Sequence, residues 1–555
     1  MEKVPIPVPF PPPAAVDDVD STLGKDVDAH IHYVEAISDL EKKLLRKQDL
    51  RIIPLSGAIY FLSFLDRTNI GNAMILNSST DNDMQRETKM TDHQFVISLM
   101  LFLVSYAVFE VPSNMLLKKL RPSRWLAFLM FCWGAMTILT AATNNFGSVT
   151  AVRFLLGVFE AGLFPGLVYY LTFWYKHDER SVRVAFILAS ATLAGAFGGA
   201  IAYAIGHMNG TAGLSGWRWL FIIEGIPSCL AAFLVLFFLP DWPERAKWLS
   251  EAEKDMAIQR MYYEGSKESH PTMTWAEAKE TLMDWRLYAH YAIYFASGPA
   301  FASLSLFAPS ITVGLGYYDL KAQLMTVPPW AIAYVCQVLV AWSADHFNAR
   351  GVHTAMAAAV GAIGFIISAA LPADAYKARY GGLILATAGS FACMPPMLGW
   401  LSSNVFTTAS TGLAIALNVS LGGGIGQIPG VWIYQTSQRE GGFTTGHWVN
   451  AALLLFVSVV ALGLRMFYGW KNRRHALHDM LCGNIRTHCR VTALMRKARA
   501  HGPKRRFGRP IGVPTDNTMK PGYGGLDPRT ELLTAPDKLS HMYCSVLCKP
   551  RTDEG

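Results

Sequence analysis

The chain has 555 residues, 52% of them hydrophobic and only 16% charged, with mean hydropathy +0.24, which is too apolar for a soluble globular protein. The net charge of +8 does not indicate nucleic acid, because it is localised: Trp470 to Gly555 holds 17 Lys and Arg against 7 Asp and Glu, leaving the rest slightly acidic. What remains is an integral membrane protein whose first partner is the lipid bilayer.

Met1 to Val19 is acidic and Pro-rich, with no run of about 7 to 15 apolar residues, so no cleaved signal peptide is expected. Residues 1–51 read as a cytosolic N-terminal tail. Within it YVEAISDLEKKLLRKQD places Val34, Ile37, Leu40 and Leu44 at helical spacing, which predicts an amphipathic helix on the inner membrane surface. A spanning helix needs about 20 predominantly apolar residues. Twelve such stretches follow, near 52–75, 95–117, 124–143, 148–175, 181–207, 217–240, 288–313, 324–344, 353–372, 381–402, 407–435 and 446–469. They are called spans 1 to 12 below.

The arrangement is bipartite. An N-terminal half of six spans (52–240) and a C-terminal half of six (288–469) are joined by a polar loop at 241–287, and a basic tail occupies 470–555. The expected fold is all-α, with twelve transmembrane helices in two six-helix halves. Lys42, Lys43, Arg46, Lys47 and Arg51 precede span 1, Lys118, Lys119, Arg121 and Arg124 lie between spans 2 and 3, and Lys176, Arg180 and Arg183 flank the junction of spans 4 and 5. The excess of positive charge on those loops places them and both termini in the cytosol. The sequons at Asn77 and Asn209 then face outward, as glycosylation requires. None of the eight cysteines suggests a disulfide framework, since four are in spans and four in the inner tail.

The informative residues are charges inside spans. Span 1 carries Asp66 and Arg67, and span 4 carries Arg153 and Glu160. Each such charge costs about 2.5 to 3.5 kcal/mol at the centre of a spanning helix, so the four must line a wet interior or pair. Arg153 and Glu160 are seven residues apart, two helical turns, and so share one face about 10 Å apart. Arg67 offers a planar fork that matches a carboxylate, which makes it the first choice for an anionic substrate. Asp66 and Glu160, partly removed from water, suit proton uptake and release, with Arg153 as a partner for Asp66. Asn69, on the face of Asp66, Asn418 in span 11 and Tyr294 in span 7 are further candidates for substrate contact. The competing reading of the four charges is a buried network that only fixes helix packing. Glu110 and Glu224 read as gating or folding residues. Gly195, Gly198, Gly199 and Gly422 to Gly424 suit close helix crossing.

Several strings resemble the major facilitator superfamily, in particular its anion:cation symporter branch, which includes fungal allantoate and nicotinate permeases. These are FLDRTNIGNA (Phe64 to Ala73), EVPSNMLLKKLRPSRW (Glu110 to Trp125), RFLLGVFEAGLFPGLVYYLTFWY (Arg153 to Tyr175) and GWRWLFIIEGIP (Gly216 to Pro227). The resemblance covers roughly residues 40 to 475. It implies alternating access around a midplane site lined by spans 1, 4, 7 and 10, which would give the four charges an aqueous place. The chain departs from the branch at the start of span 11, which lacks an expected basic residue, at Asp345-His346 in place of Asp-Arg, and in the tail.

No Walker-type sequence is present and no His, Cys and carboxylate cluster has catalytic or metal-ligand spacing, so neither an enzyme, a metal nor a cofactor is expected. The reading is a secondary transporter that takes up a small organic anion, such as a vitamin, ureide or other carboxylate, with protons. It is expected as a monomer in the plasma membrane. The alternatives are an exporter of a secondary metabolite and a nutrient sensor that does not transport.

Overall fold

The computed structural model describes residues 19–263, 275–317, 319–372, 374–405, 408–434, 438 and 441–500, and these are helical and loop throughout, without a β-strand. The Pro-rich start and the tail beyond Ala500 lie outside the described residues, as do the side chains of Val34 and Ile37.

Among the described residues eleven helices are long and apolar enough to cross a membrane, and they fall on predicted spans 2 to 12. Span 1 is the end of a single helix, Val19–Ala73, that also contains the predicted amphipathic segment, with Pro54 inside it. Its polar residues keep it below the apolarity of the other eleven, which is the same feature that makes it informative. Leu44 is buried while Leu40 is half exposed, so the segment before span 1 has one covered face.

Proline and glycine explain where the spans break. Span 4 consists of Phe146–Glu160 and Leu163–Leu171, interrupted at Ala161-Gly162 ahead of Pro165. Span 10 is likewise Tyr376–Ala392 and Met394–Ser403, divided at Cys393 before Pro395 and Pro396. A proline ring clashes with the carbonyl one turn back, so a helix is interrupted on its N-terminal side. Span 11 departs furthest: Thr408–Asn418 runs into a π-helical stretch, Val419–Gly424, then a 3-10 turn, Ile425–Gln427, and Ile428–Trp432. Three consecutive glycines permit this winding, which frees backbone groups at membrane depth only because the segment is packed in protein. Span 12 belongs to the helix Thr444–Ala500.

Glycine also sets the helix crossings. A Cβ on Gly389 would strike the backbone of Gly361, and one on Gly364 that of Ala386, so spans 9 and 10 touch through their main chains. Between the halves, Gly195 lies under the Trp330 ring and Gly199 against Thr326, joining spans 5 and 8. Gly424 meets Ala107 of span 2, and Gly71 of span 1 meets the carbonyl of Leu306 in span 7. Phe237, Phe238, Leu230, Trp342 and Met356 point outward. In water such apolar exposure would be costly, whereas here it is the lipid-facing surface.

A charged cluster ties the segment before span 1 to the loops on the same side. Arg260, in the central-loop helix Glu251–Tyr263, donates to Glu41 at 2.6 Å and pairs with Glu179. Lys176 also donates to Glu41, at 2.8 Å, and Arg183 grips Asp49 through two nitrogens at 2.6 and 2.8 Å. The hydrogen bond from Lys176 and those of Arg260 hold the Glu41 carboxyl below its usual range against the opposing effect of burial. That stability is present above the ordinary glutamate range and lost as pH falls through the lowered value. Replacing Arg260 with Ala leaves Glu41 with Lys176 alone and removes the Arg260 contact of Glu179, and should cost about 1 kcal/mol. Limited trypsin digestion of the central loop should accelerate about fivefold; an unchanged rate would show that the cluster does not restrain the loop.

Candidate functional site

Span 1 distributes its polar residues over two faces, because neighbours in a helix point about 100° apart. Ser63 and Arg67, four residues apart, face spans 2, 4 and 11. Ser63 Oγ donates to Glu160 at 2.9 Å, so the two charged spans are joined by a neutral hydroxyl. The Arg67 guanidinium stands over the rings of Phe102 and Tyr106, at 5.1 and 5.2 Å, and donates through Nη2 to Gln427 Oε1 at 2.7 Å. Among the described residues no carboxylate lies within ion-pair distance of it. The electrostatic neighbours of Glu160 are Arg67 and Arg153.

Asp66 and Asn69 face span 6. Asp66 Oδ2 accepts from Ser228 at 2.5 Å, and Asn69 Nδ2 donates to Glu224. Ser228 and Glu224 are one turn apart on a helix running antiparallel to span 1, so the pairs form a two-rung ladder within the N-terminal half. Asp66, Asn69, Arg153, Glu160 and Glu224 are all buried. Arg153 stands over Phe221 at 5.6 Å, and its Nε and Nη2 have no hydrogen-bond partner. The expected pairing of Arg153 with Asp66 is not formed as an ion pair in this conformation: Asp66 takes Ser228 instead.

The C-terminal half contributes neutral groups. Tyr294 is buried and packs on Gly422, whose missing side chain makes the space. Asn418, at the entrance to the π-helical stretch, is buried with Oδ1 unpartnered. Glu110 is fully buried in span 2, with the Ser420 hydroxyl of span 11 beside its carboxylate but no hydrogen bond completed to either oxygen. The substituted Asp345-His346 pair retains an acid-base contact, since Asp345 accepts from Arg350 Nε at 2.6 Å.

Both sequon asparagines are only partly exposed and hydrogen-bonded. Asn77 Nδ2 donates to the Gly206 carbonyl at 3.1 Å. Asn209 Nδ2 donates to Thr80 Oγ1 at 3.3 Å while its Oδ1 accepts from Gly216 N–H.

Sequence reasoning missed Gln427, Phe102, Tyr106, Ser63 and Ser228. The spacing of Phe102 and Tyr106 placed them on one helix face, a signal that could have been used. Gln427 is 360 residues from Arg67 and carries no local signature of the contact.

The family model described as Major Facilitator Superfamily matches residues 57–431. Among curated proteins, the chain is 62% identical over 460 residues to MFS transporter prlL of Fungal sp. (strain NRRL 50135), covering 83% of this chain and 92% of the relative. It is 34% identical to a putative tartrate transporter of Agrobacterium vitis, covering 77% and 96% of the two chains. Among solved structures, the E. coli xylose transporter XylE, in a partially occluded inward-open conformation, superposes with a TM-score of 0.56 at 14% identity, over 74% of this chain and 97% of that one. The xylose transporter supports the fold alone, while the match over 57–431 and the 62% relative fix the lineage. With its helical bundle and span pattern, this multi-pass membrane protein is a transporter of the major facilitator superfamily.

Proposed function

We propose that the protein couples uptake of a small organic anion to protons, with Arg67 binding the anionic group and Asp66, Glu160 and Arg153 handling the proton. One observation carries this reading: among the described residues the direct contacts of the Arg67 guanidinium are a neutral amide and two aromatic faces, with the acids Glu160 and Glu110 close enough to act on it electrostatically but not to form an ion pair. A structural arginine at this depth would be paired directly with an acid, whereas a substrate arginine must keep its fork available to an incoming carboxylate. Its present partner, Gln427, belongs to the opposite half, so a substrate displacing that amide would act on the contact between halves. Tyr294 and Asn418 supply hydroxyl and amide groups from the C-terminal side. Asn69, engaged by Glu224, contributes in a conformation in which that bond has opened.

The putative tartrate transporters of Agrobacterium vitis among the relatives, each 34% identical, favour a hydroxycarboxylate as the anion. Proton coupling rests on Glu160, a buried acid bonded to Ser63 and set among Arg67 and Arg153. We further propose a monomer in the plasma membrane within the anion:cation symporter branch, with both termini in the cytosol as the loop charges favour.

Uptake of radiolabelled tartrate and a panel of monocarboxylates and ureides, at pH 5 and pH 7.5, tests the reading. Wild type should show saturable uptake several-fold faster at pH 5, and Glu160→Gln should retain exchange while losing that stimulation. Surface-localised wild type that takes up no anion would refute uptake and turn attention to export. Glycosylation at Asn77 or Asn209 requires each amide to leave the bond described above, and a glycosidase-induced mobility shift lost in Asn77→Gln and Asn209→Gln would establish it.

A further inference from the structure

The ladder between spans 1 and 6 contains an acid that the transport reading leaves without a task. Glu224 is 2% exposed. One of its oxygens accepts from the neutral amide of Asn69, and the other, Oε1, has no partner. One turn along, Asp66 is 1% exposed, accepts from the neutral Ser228 through Oδ2, and leaves Oδ1 unpartnered. Span 3 directs the Trp133 indole N–H toward Asp66 without completing a hydrogen bond. Span 4 adds Arg153, with Nε and Nη2 unpartnered, over Phe221, which is three residues from Glu224 on span 6. Spans 1, 3, 4 and 6 thus turn unsatisfied polar atoms toward one interior region.

Buried polar atoms without partners are rare in folded proteins, and several together mark a place that water or a moving proton satisfies. Packing alone does not explain Glu224. Glutamine would accept from Asn69 with the same shape and would avoid burying an ionisable group that has no ion-pair partner. The charged group acting on Glu224 is Asp66 on span 1; Asp66 in turn is acted on by Glu160 and Arg153 of span 4, and it acts on Cys229 of span 6, which also neighbours Cys132 of span 3. Span 5 brings no charged residue between Val184 and Gly206.

We propose that Glu224 and Asp66 form a hydrated proton-binding site inside the N-terminal half and that Glu224 exchanges a proton with Asp66 through water. The exchange conserves atoms and charge. The O–H bond of a protonated Asp66 breaks as its proton passes to a water oxygen, and that water gives one of its own protons to Glu224 Oε1. Water is regenerated and nothing is oxidised or reduced. The site lies on the face of span 1 away from Arg67, so a proton can be stored without occupying the anion position. This assignment rests on the proton-coupled reading above.

Infrared difference spectroscopy of the purified full chain in nanodiscs, between pH 5 and pH 8, reads carboxyl protonation directly and needs no substrate. Wild type should show a protonated-carboxyl C=O band that Glu224→Gln removes and Asp66→Asn shifts. Should Glu224→Gln fail to fold, Glu224→Asp is read instead, and a displaced band supports the assignment. A spectrum unaltered by the Glu224 variant, or a wild type with no such band, overturns it. Because the spectrum is independent of transport, failure to find a transported anion refutes the uptake reading without altering this result.

Discussion

Arg67→Lys should lower carboxylate uptake by about ten- to one hundredfold while leaving the protein folded and at the cell surface. Lysine preserves the charge but replaces the planar fork with a point donor, so one of the two parallel hydrogen bonds to a carboxylate is lost. A hydrogen bond to a charged group contributes about 1.5 to 3 kcal/mol, and about 1.4 kcal/mol is a tenfold change in affinity. Lysine also gives up stacking on Phe102 and Tyr106, which hold the guanidinium plane now. The loss should appear mainly in the concentration of half-saturation. A fall in maximal rate with unchanged half-saturation would move Arg67 from binding to gating, where its bond to Gln427 would be the operative contact.

Gly71→Ala should slow transport at least about tenfold by a different route. The added methyl has no space, because Gly71 lies against the main-chain carbonyl of Leu306 and backbone cannot swing aside as a side chain can. Overpacking of this kind costs about 1 to 3 kcal/mol. Here the cost falls on one conformation only, the one in which spans 1 and 7 close together on the side that the loop charges assign to the exterior. The carbonyl of Asn72 accepts from Gln323 at 3.1 Å and Gly206 packs on Leu320 at the same closure. The variant should therefore accumulate in the outward-open state, with cysteines introduced near residue 76 labelled faster by an impermeant thiol reagent. Equal labelling in wild type and variant would show that this contact does not govern closure. Binding at Arg67 should survive, which separates the two predictions.

The membrane character, the spans and the two-half helical layout were legible in the sequence because each depends on local composition, while the superfamily was legible only through the strings that resemble it. A bilayer demands about 20 apolar residues per crossing regardless of what packs beside them. The charges Asp66, Arg67, Arg153 and Glu160 identified themselves for the same reason, since lipid tolerates them only at an interior site. The breaks in spans 4 and 10 were less legible: both were read as continuous segments, although Pro165, Pro395 and Pro396 were in view.

Partnership was decided by tertiary structure. The 3.6-residue turn separates Asp66 from Arg67, yet only packing shows that one face meets Ser228 and Glu224 while the other meets Glu160, Phe102 and Gln427. Asn69 and Glu224 are 155 residues apart and Arg67 and Gln427 are 360 apart. Such contacts arise from how whole helices cross, set by glycines such as Gly71 and Gly424 against distant backbone, and no periodicity within a single span encodes them. The sequence alone determined which groups are too polar for lipid; the fold determined which of them face each other, because a side chain's partner depends on the neighbouring helix and not on its own.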